Sequence, residues 1–115
     1  MTERIVCVQR KTAIYHGFMV ENEANNYRLT VGNYDKVSTA GDVLSQANGQ
    51  EFTTKDEDND NETDINCARA LDGGFWYNTC DSQQVPVLGI TATGDNFKWN
   101  NYRLNEARMY LMCEQ

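Results

Sequence analysis

Six of the nine residues from Asp56 to Asp64 are carboxylates: Asp56, Glu57, Asp58, Asp60, Glu62 and Asp64. The formal charge of the chain is −7, so removing these six (−7 + 6) would leave it at −1. Like charges packed this densely repel unless something cationic sits among them, and oxygen ligands at alternating positions suit Ca²⁺. Asn59 and Asn61 interleave with the acids, and both residue types tolerate the tight backbone of a metal loop. A solvated acidic turn is the plain alternative. The EF-hand pattern fails in either register: begun at Asp56 it needs glycine and glutamate where Asn61 and Cys67 stand, and begun at Asp58 where Thr63 and Arg69 stand. Three residues past the cluster comes Cys67, then Gly73-Gly74-Phe75-Trp76-Tyr77, then Cys80.

At 115 residues the chain is one domain, spanning 1–115, with enough length for a modest core. The N-terminus has no apolar signal-peptide stretch, which means either a mature or cloned form or an intracellular protein. Four cysteines, Cys7, Cys67, Cys80 and Cys113, none in a CxxC pair, speak for two disulfides and an oxidising compartment, with three connectivities open. Secretion is therefore the expectation. No basic stripe exists to meet nucleic-acid phosphates or an anionic membrane surface, and no apolar run is long enough to span a bilayer. Catalysis has little to stand on. His16 is the single histidine, there is no nucleophile elbow, zinc-protease helix or phosphate loop, and the paired carboxylates crowd into one loop instead of separating into acid and base roles. A non-enzymatic binding protein is expected.

Along the sequence, Ile5-Val6-Cys7-Val8 reads as a short strand. Tyr27, Leu29 and Val31 alternate with Arg28 and Thr30 as a half-buried strand does. Glu21 to Asn26 suits a hairpin turn, and Gly32-Asn33 ends the second strand. Residues 34–54 read as an ordered loop, with one helical turn conceivable near Asp42–Gln46. Residues 55–80 hold the acidic and aromatic loops. Past Cys80 the sequence is loop-like as far as Phe97, Trp99 and Tyr102. Asn105–Cys113 carries both helix formers and an alternating Met109, Leu111 and Cys113, and periodicity alone does not decide between them. The class is α+β, mainly β, with short antiparallel strands and long structured loops.

In order along residues 13–80 run Ala13-Ile14-Tyr15-His16-Gly17-Phe18, Asn26-Tyr27-Arg28-Leu29-Thr30-Val31-Gly32, Gly41-Asp42, Phe52-Thr53-Thr54, the acidic loop, Asn66-Cys67-Ala68 and Gly74-Phe75-Trp76-Tyr77-Asn78-Thr79-Cys80. This series resembles the fibrinogen-related domain, the C-terminal globular module of fibrinogen chains, ficolins, tenascins, angiopoietins and tachylectins. The family's N-terminal subdomain has no counterpart here. Asp81-Ser82-Gln83-Gln84-Val85-Pro86 departs from the usual histidine and turn, and the stretch from there to Trp99 is shortened. The resemblance implies a single reduced fibrinogen-like domain, close to the metal- and ligand-binding half.

The resemblance further implies Ca²⁺ held by Asp58 and Asp60, with backbone carbonyls of Glu62 and Asp64, or of Thr63 and Ile65, completing the site. It implies a Cys67–Cys80 disulfide. Cys7 and Cys113 are then left either to staple the terminal strands or to remain as buried thiols. A ligand pocket would fall at Leu71, Thr79, Asp81 and the neighbourhood of Asp95, where Asp81 and Asp95 favour a cationic group over a neutral acetamide. An eroded pocket with Phe75, Trp76 and Tyr77 as plain core is the competing expectation. The function implied is secreted, calcium-dependent, lectin-like recognition of glycans or acetylated groups, of the innate-immune kind. The alternative is an assembly module that binds a cationic peptide terminus or another protein, or self-associates into a homo-oligomer across a sheet edge or apolar patch left uncovered.

Overall fold

The computed structural model describes residues 10–80, 98–99, 102–104 and 107–112. The strand expected at Ile5–Val8, together with Cys7, Cys113, Asp81 and Asp95, lies outside the described residues.

A hairpin organises the first half of the protein. Strand β1 (Phe18–Val20) pairs antiparallel with β2 (Leu29–Val31), with Phe18 opposite Val31, Met19 opposite Thr30 and Val20 opposite Leu29. The alternation read from the sequence holds on β2: Leu29 and Val31 are buried and Thr30 is exposed. Tyr27 does not share that face. It lies in the turn at φ 56°, beside Asn26 at φ 52°, after a single 3₁₀ turn at Glu23–Asn25. Asparagine takes the left-handed region readily, while a tyrosine there costs about 1–2 kcal/mol. Tertiary contacts overrule that preference. Tyr27 donates its backbone N–H to Asn22 O at 3.1 Å, and its carbonyl accepts the Trp76 indole N–H at 2.8 Å.

The second edge of β2 is covered by residues 48–50. Leu29 N–H donates to Gln50 O at 3.0 Å, Gly49 N–H to Leu29 O at 2.8 Å, and Val31 N–H to the Asn48 side-chain oxygen at 2.9 Å. The ordered loop expected over 34–54 thus acts as a third, irregular strand and satisfies backbone groups that a sheet edge would leave open. Its helical turn exists as a 3₁₀ segment, Leu44–Ala47, which buries Leu44 and Ala47. Asp42 accepts the Ser45 N–H at 3.1 Å. The Tyr15 hydroxyl donates to Asp42 at 3.0 Å and accepts from Val43 and Leu44 N–H at 3.3 and 3.1 Å. Burial is the main reason the Tyr15 phenol is pushed well above its ordinary pKa.

The core gathers Leu29, Val31, Leu44, Ala47, Cys67, Ala68, Phe75 and Tyr77. Hairpin β3 (Lys98–Trp99) and β4 (Tyr102–Arg103), with Trp99 opposite Tyr102, contributes Trp99 to its margin. The indole of Trp99 donates to Gly41 O at 2.9 Å. Residues 107–112 form neither helix nor strand. These six residues are exposed, and a short helix without a buried face is marginal in water.

Candidate functional site

A helix that periodicity does not announce sits between the acidic loop and the aromatic run. Helix α1 (Cys67–Leu71) starts at Asn66, whose side-chain oxygen accepts the Arg69 N–H at 3.1 Å while its amide donates to Thr54 O at 3.0 Å. The signal was an asparagine ahead of Cys-Ala-Arg-Ala-Leu, a legible N-cap pattern. The helix is so short that hydrophobic periodicity could not reveal it. Asn66→Ala removes both the cap and the tie to Thr54. It is expected to lower unfolding free energy by about 1 kcal/mol in a urea titration, whereas Asn66→Asp should keep most of the cap.

Asp60 is the hinge of the acidic loop. One carboxylate oxygen accepts the Glu62 N–H at 3.0 Å and the other the Cys67 N–H at 2.9 Å, so this side chain joins the loop to the first residue of α1. Asp58 accepts the Asp60 N–H at 3.2 Å, which stacks two turns of the same kind. Asn59 ties the loop inward: its backbone N–H donates to the buried Thr53 hydroxyl at 3.0 Å and its amide to Phe52 O at 2.8 Å. Burial, with the neighbouring Asp58 charge acting in the same direction, holds the Asp60 carboxyl above the usual carboxylate range despite the two N–H groups that favour the anion. Burial, and after it the Asp60 charge, pushes the Tyr77 phenol up to about 12, so Tyr77 stays neutral and donates to Gly73 O at 2.7 Å.

The predicted ligands separate by what their side chains do. Asp58 and Asp60 are brought together. The Glu62 carboxylate turns instead to the Cys80 N–H at 3.3 Å, so Glu62 has its backbone carbonyl to offer a metal, and Asp64 is exposed. Among the described residues, no three His, Cys, Asp or Glu side chains converge as a closed cage. The donor chemistry nonetheless fits a hard cation. Each Asp60 oxygen takes one N–H and keeps a lone pair, and the two adjacent anions have no Lys or Arg salt bridge among the described residues.

The far wall is the segment ending at Cys80, joined to Cys67 by a disulfide with Cα atoms 5.6 Å apart. Asn78 accepts the Asn61 backbone N–H on its carbonyl at 2.7 Å and the Asn61 amide on its side-chain oxygen at 2.6 Å, a contact pair that sequence spacing gave no hint of. Behind it, Trp76 meets Phe18, Phe52 and Phe75 edge to face with ring centroids 5.2–6.3 Å apart. Phe75 and Tyr77 are buried and Trp76 packs against the core they belong to, so the aromatic run serves packing. Gly74 is required for close approach: a Cβ there would lie 2.9 Å from the Phe52 ring and 3.3 Å from Thr53 O. Of the expected pocket residues, Leu71 is half-buried against the core and Thr79 is exposed.

A profile of the C-terminal globular domain of fibrinogen beta and gamma chains matches residues 5–109. Human angiopoietin-related protein 7 is 39% identical over 99 residues, 86% of this chain and 25% of that protein. Human tenascin-R is 44% identical over 82% of this chain and 7% of its own length. Techylectin-5A of Tachypleus tridentatus is 33% identical over 79% of this chain and 32% of its own. The protein thus spans a third or less of these relatives. Among solved structures, the fibrinogen-like globe domain of human ANGPTL6 superposes with a TM-score of 0.60 at 34% identity, over 79% of this chain and 42% of that one.

Proposed function

We propose that this protein, which belongs to the family of C-terminal globular domains found in fibrinogen beta and gamma chains, is a secreted, calcium-dependent recognition module and not an enzyme. The observation that carries this reading is the Asp58–Asp60 pair, two adjacent carboxylates stacked through backbone bonds and tied by Asp60 to the Cys67–Cys80 turn. Calcium, when bound, would be held by Asp58, Asp60 and loop carbonyls. It would offset the Asp58 charge, which adds to the burial that raises the Asp60 carboxyl, and fix the wall that ends at Cys80. Leu71 and Thr79 would present that wall to the ligand, with Asp81 and Asp95, which lie outside the described residues, as the further proposed contacts.

Glycans or acetylated groups are the proposed ligand class. The lectin named among the relatives, techylectin-5A, supports that choice. Extracellular calcium modules bind with Kd on the order of 10⁻⁴–10⁻³ M. At about ten times Kd, linkage adds roughly 1.4 kcal/mol of stability. Calcium is therefore expected to raise the melting temperature by several degrees, and Asp58→Ala with Asp60→Ala to abolish the rise. Superimposable melting curves in calcium and in chelator sink the calcium reading. A glycan array with calcium but no hits sinks the lectin reading alone.

A second reading rests on a separate observation. Met109, Tyr110, Leu111 and Met112 form an unbroken apolar run, each 59–88% exposed. Apolar surface on that scale belongs to contact regions, so the alternative is an assembly module that self-associates or takes a protein partner without glycan binding. Sedimentation as a monomer across a wide concentration range would count against self-association.

A further inference from the structure

Asn61-Glu62-Thr63 is the one Asn-x-Ser/Thr triplet in the acidic loop, and neither the calcium reading nor the core makes use of the Thr63 hydroxyl group. We propose that Asn61 is an N-glycosylation site, carrying an oligosaccharide on the rim of the acidic loop. The triplet is the acceptor signal for that modification, which belongs on a surface loop of a secreted protein. Asn61 is exposed, and the residues between Asp60 and Asn66 belong to no helix or strand.

The acceptor atom is the Asn61 side-chain nitrogen. It donates to the Asn78 side-chain oxygen at 2.6 Å and to the Gln50 side-chain oxygen at 3.2 Å, and Asn78 is itself exposed. In the transfer, this nitrogen forms a bond to C1 of a sugar while the bond from C1 to a polyprenyl diphosphate breaks. The diphosphate leaves with the bonding pair and the displaced amide proton passes to solvent. One N–H survives, so one amide contact persists and the other is given up. The backbone bond from Asn61 N–H to Asn78 O at 2.7 Å does not involve the modified atom and is kept. That backbone tie, with the Asp60–Cys67 bond and the Cys67–Cys80 disulfide, fixes the loop once the protein has folded. Transfer therefore precedes closure of the loop. The sugar then stands one residue from Asp60, and its presence limits what can approach the loop from the Asn78 side.

This inference rests on the proposed secretion, so its test must separate the two. The full chain is expressed behind a secretory leader in mammalian cells, and medium and lysate are both analysed by intact mass with and without peptide-N-glycosidase. The expected result is a glycan mass lost on enzyme treatment, absent from Thr63→Ala, and retained in Thr63→Ser. Disulfide-bonded protein in the medium with unmodified Asn61 overturns the glycosylation proposal and leaves secretion standing. Glycosylated protein held in the lysate, with Cys67 and Cys80 reduced, upholds the acceptor site and overturns secretion.

Discussion

Cys67→Ser is expected to lower the free energy of unfolding by roughly 3 kcal/mol or more, the entropy value for a closed loop of about 15 residues. The bridge spans 13 positions and closes at a Cα separation of 5.6 Å, well inside the range that needs no backbone movement. A shift in melting temperature on the order of 10 °C should follow for a domain of this size. Two terms add at this position. Cys67 is completely buried among Ala68, Phe75 and Tyr77, so a serine hydroxyl there would be desolvated, at a further cost of about 1–3 kcal/mol. Cys80 is half-buried, and Cys80→Ser should lose the loop constraint with little of the packing penalty. The difference between the two variants in a guanidinium titration therefore isolates the burial contribution. Chemical reduction of the parent should resemble Cys80→Ser. A Cys67→Ser variant within about 1 kcal/mol of the parent would remove the bridge as the main brace of this region.

What could be read in the sequence and what could not divide along a physical line. Leu29 and Val31 were legible because a half-buried strand writes its two faces as period-two alternation. The Cys67–Cys80 pairing was legible through ordered motifs of a resembling family, and the bridge forms where that resemblance puts it. Tyr27 was misplaced because its left-handed backbone is set by Trp76, 49 positions away, and no local preference of tyrosine would choose it. Helix α1 escaped because one short turn has no period to detect. The side-chain ties Asn59 to Phe52 and Asn61 to Asn78 escaped for another reason: asparagine is common in loops, and which oxygen its amide finds is decided only when the loops meet. The strand edge closed by Asn48, Gly49 and Gln50 is the same case, an irregular segment recruited by unpaired N–H groups that had to be satisfied.

The acidic loop gives the second large effect, because its two aspartates should behave differently. Asp60→Ala strips the acceptor from the Glu62 and Cys67 N–H groups, the second belonging to a wholly buried residue. Charge-assisted bonds of this kind are worth about 1.5–3 kcal/mol each, offset in part by relief of the Asp58 repulsion. In chelator this variant should therefore lose about 2–3 kcal/mol. Asp58→Ala gives up one bond from the Asp60 N–H at 3.2 Å and relieves the same repulsion, so in chelator it should fall within about 0.5 kcal/mol of the parent. With calcium at about ten times Kd both variants should also forgo the roughly 1.4 kcal/mol that the ion adds to the parent. Acid sharpens the distinction. The folded Asp60 carboxyl is raised, so its proton binds more tightly in the folded than in the unfolded state. In chelator that contribution is fully present below the ordinary aspartate value of about 3.9 and is lost as pH rises through the raised folded value. Calcium held at Asp60, as proposed, would reverse the dependence, because a coordinating carboxylate must be ionised. Asp35 and Asp56 are lowered chiefly by hydrogen bonds from Val37 N–H and the Thr54 hydroxyl, and they act with the opposite sign in a lower window. Calorimetry from neutral pH into the carboxylate range should show the calcium increment shrinking as Asp60 takes its proton. An increment unchanged across that range would place the ion away from Asp60.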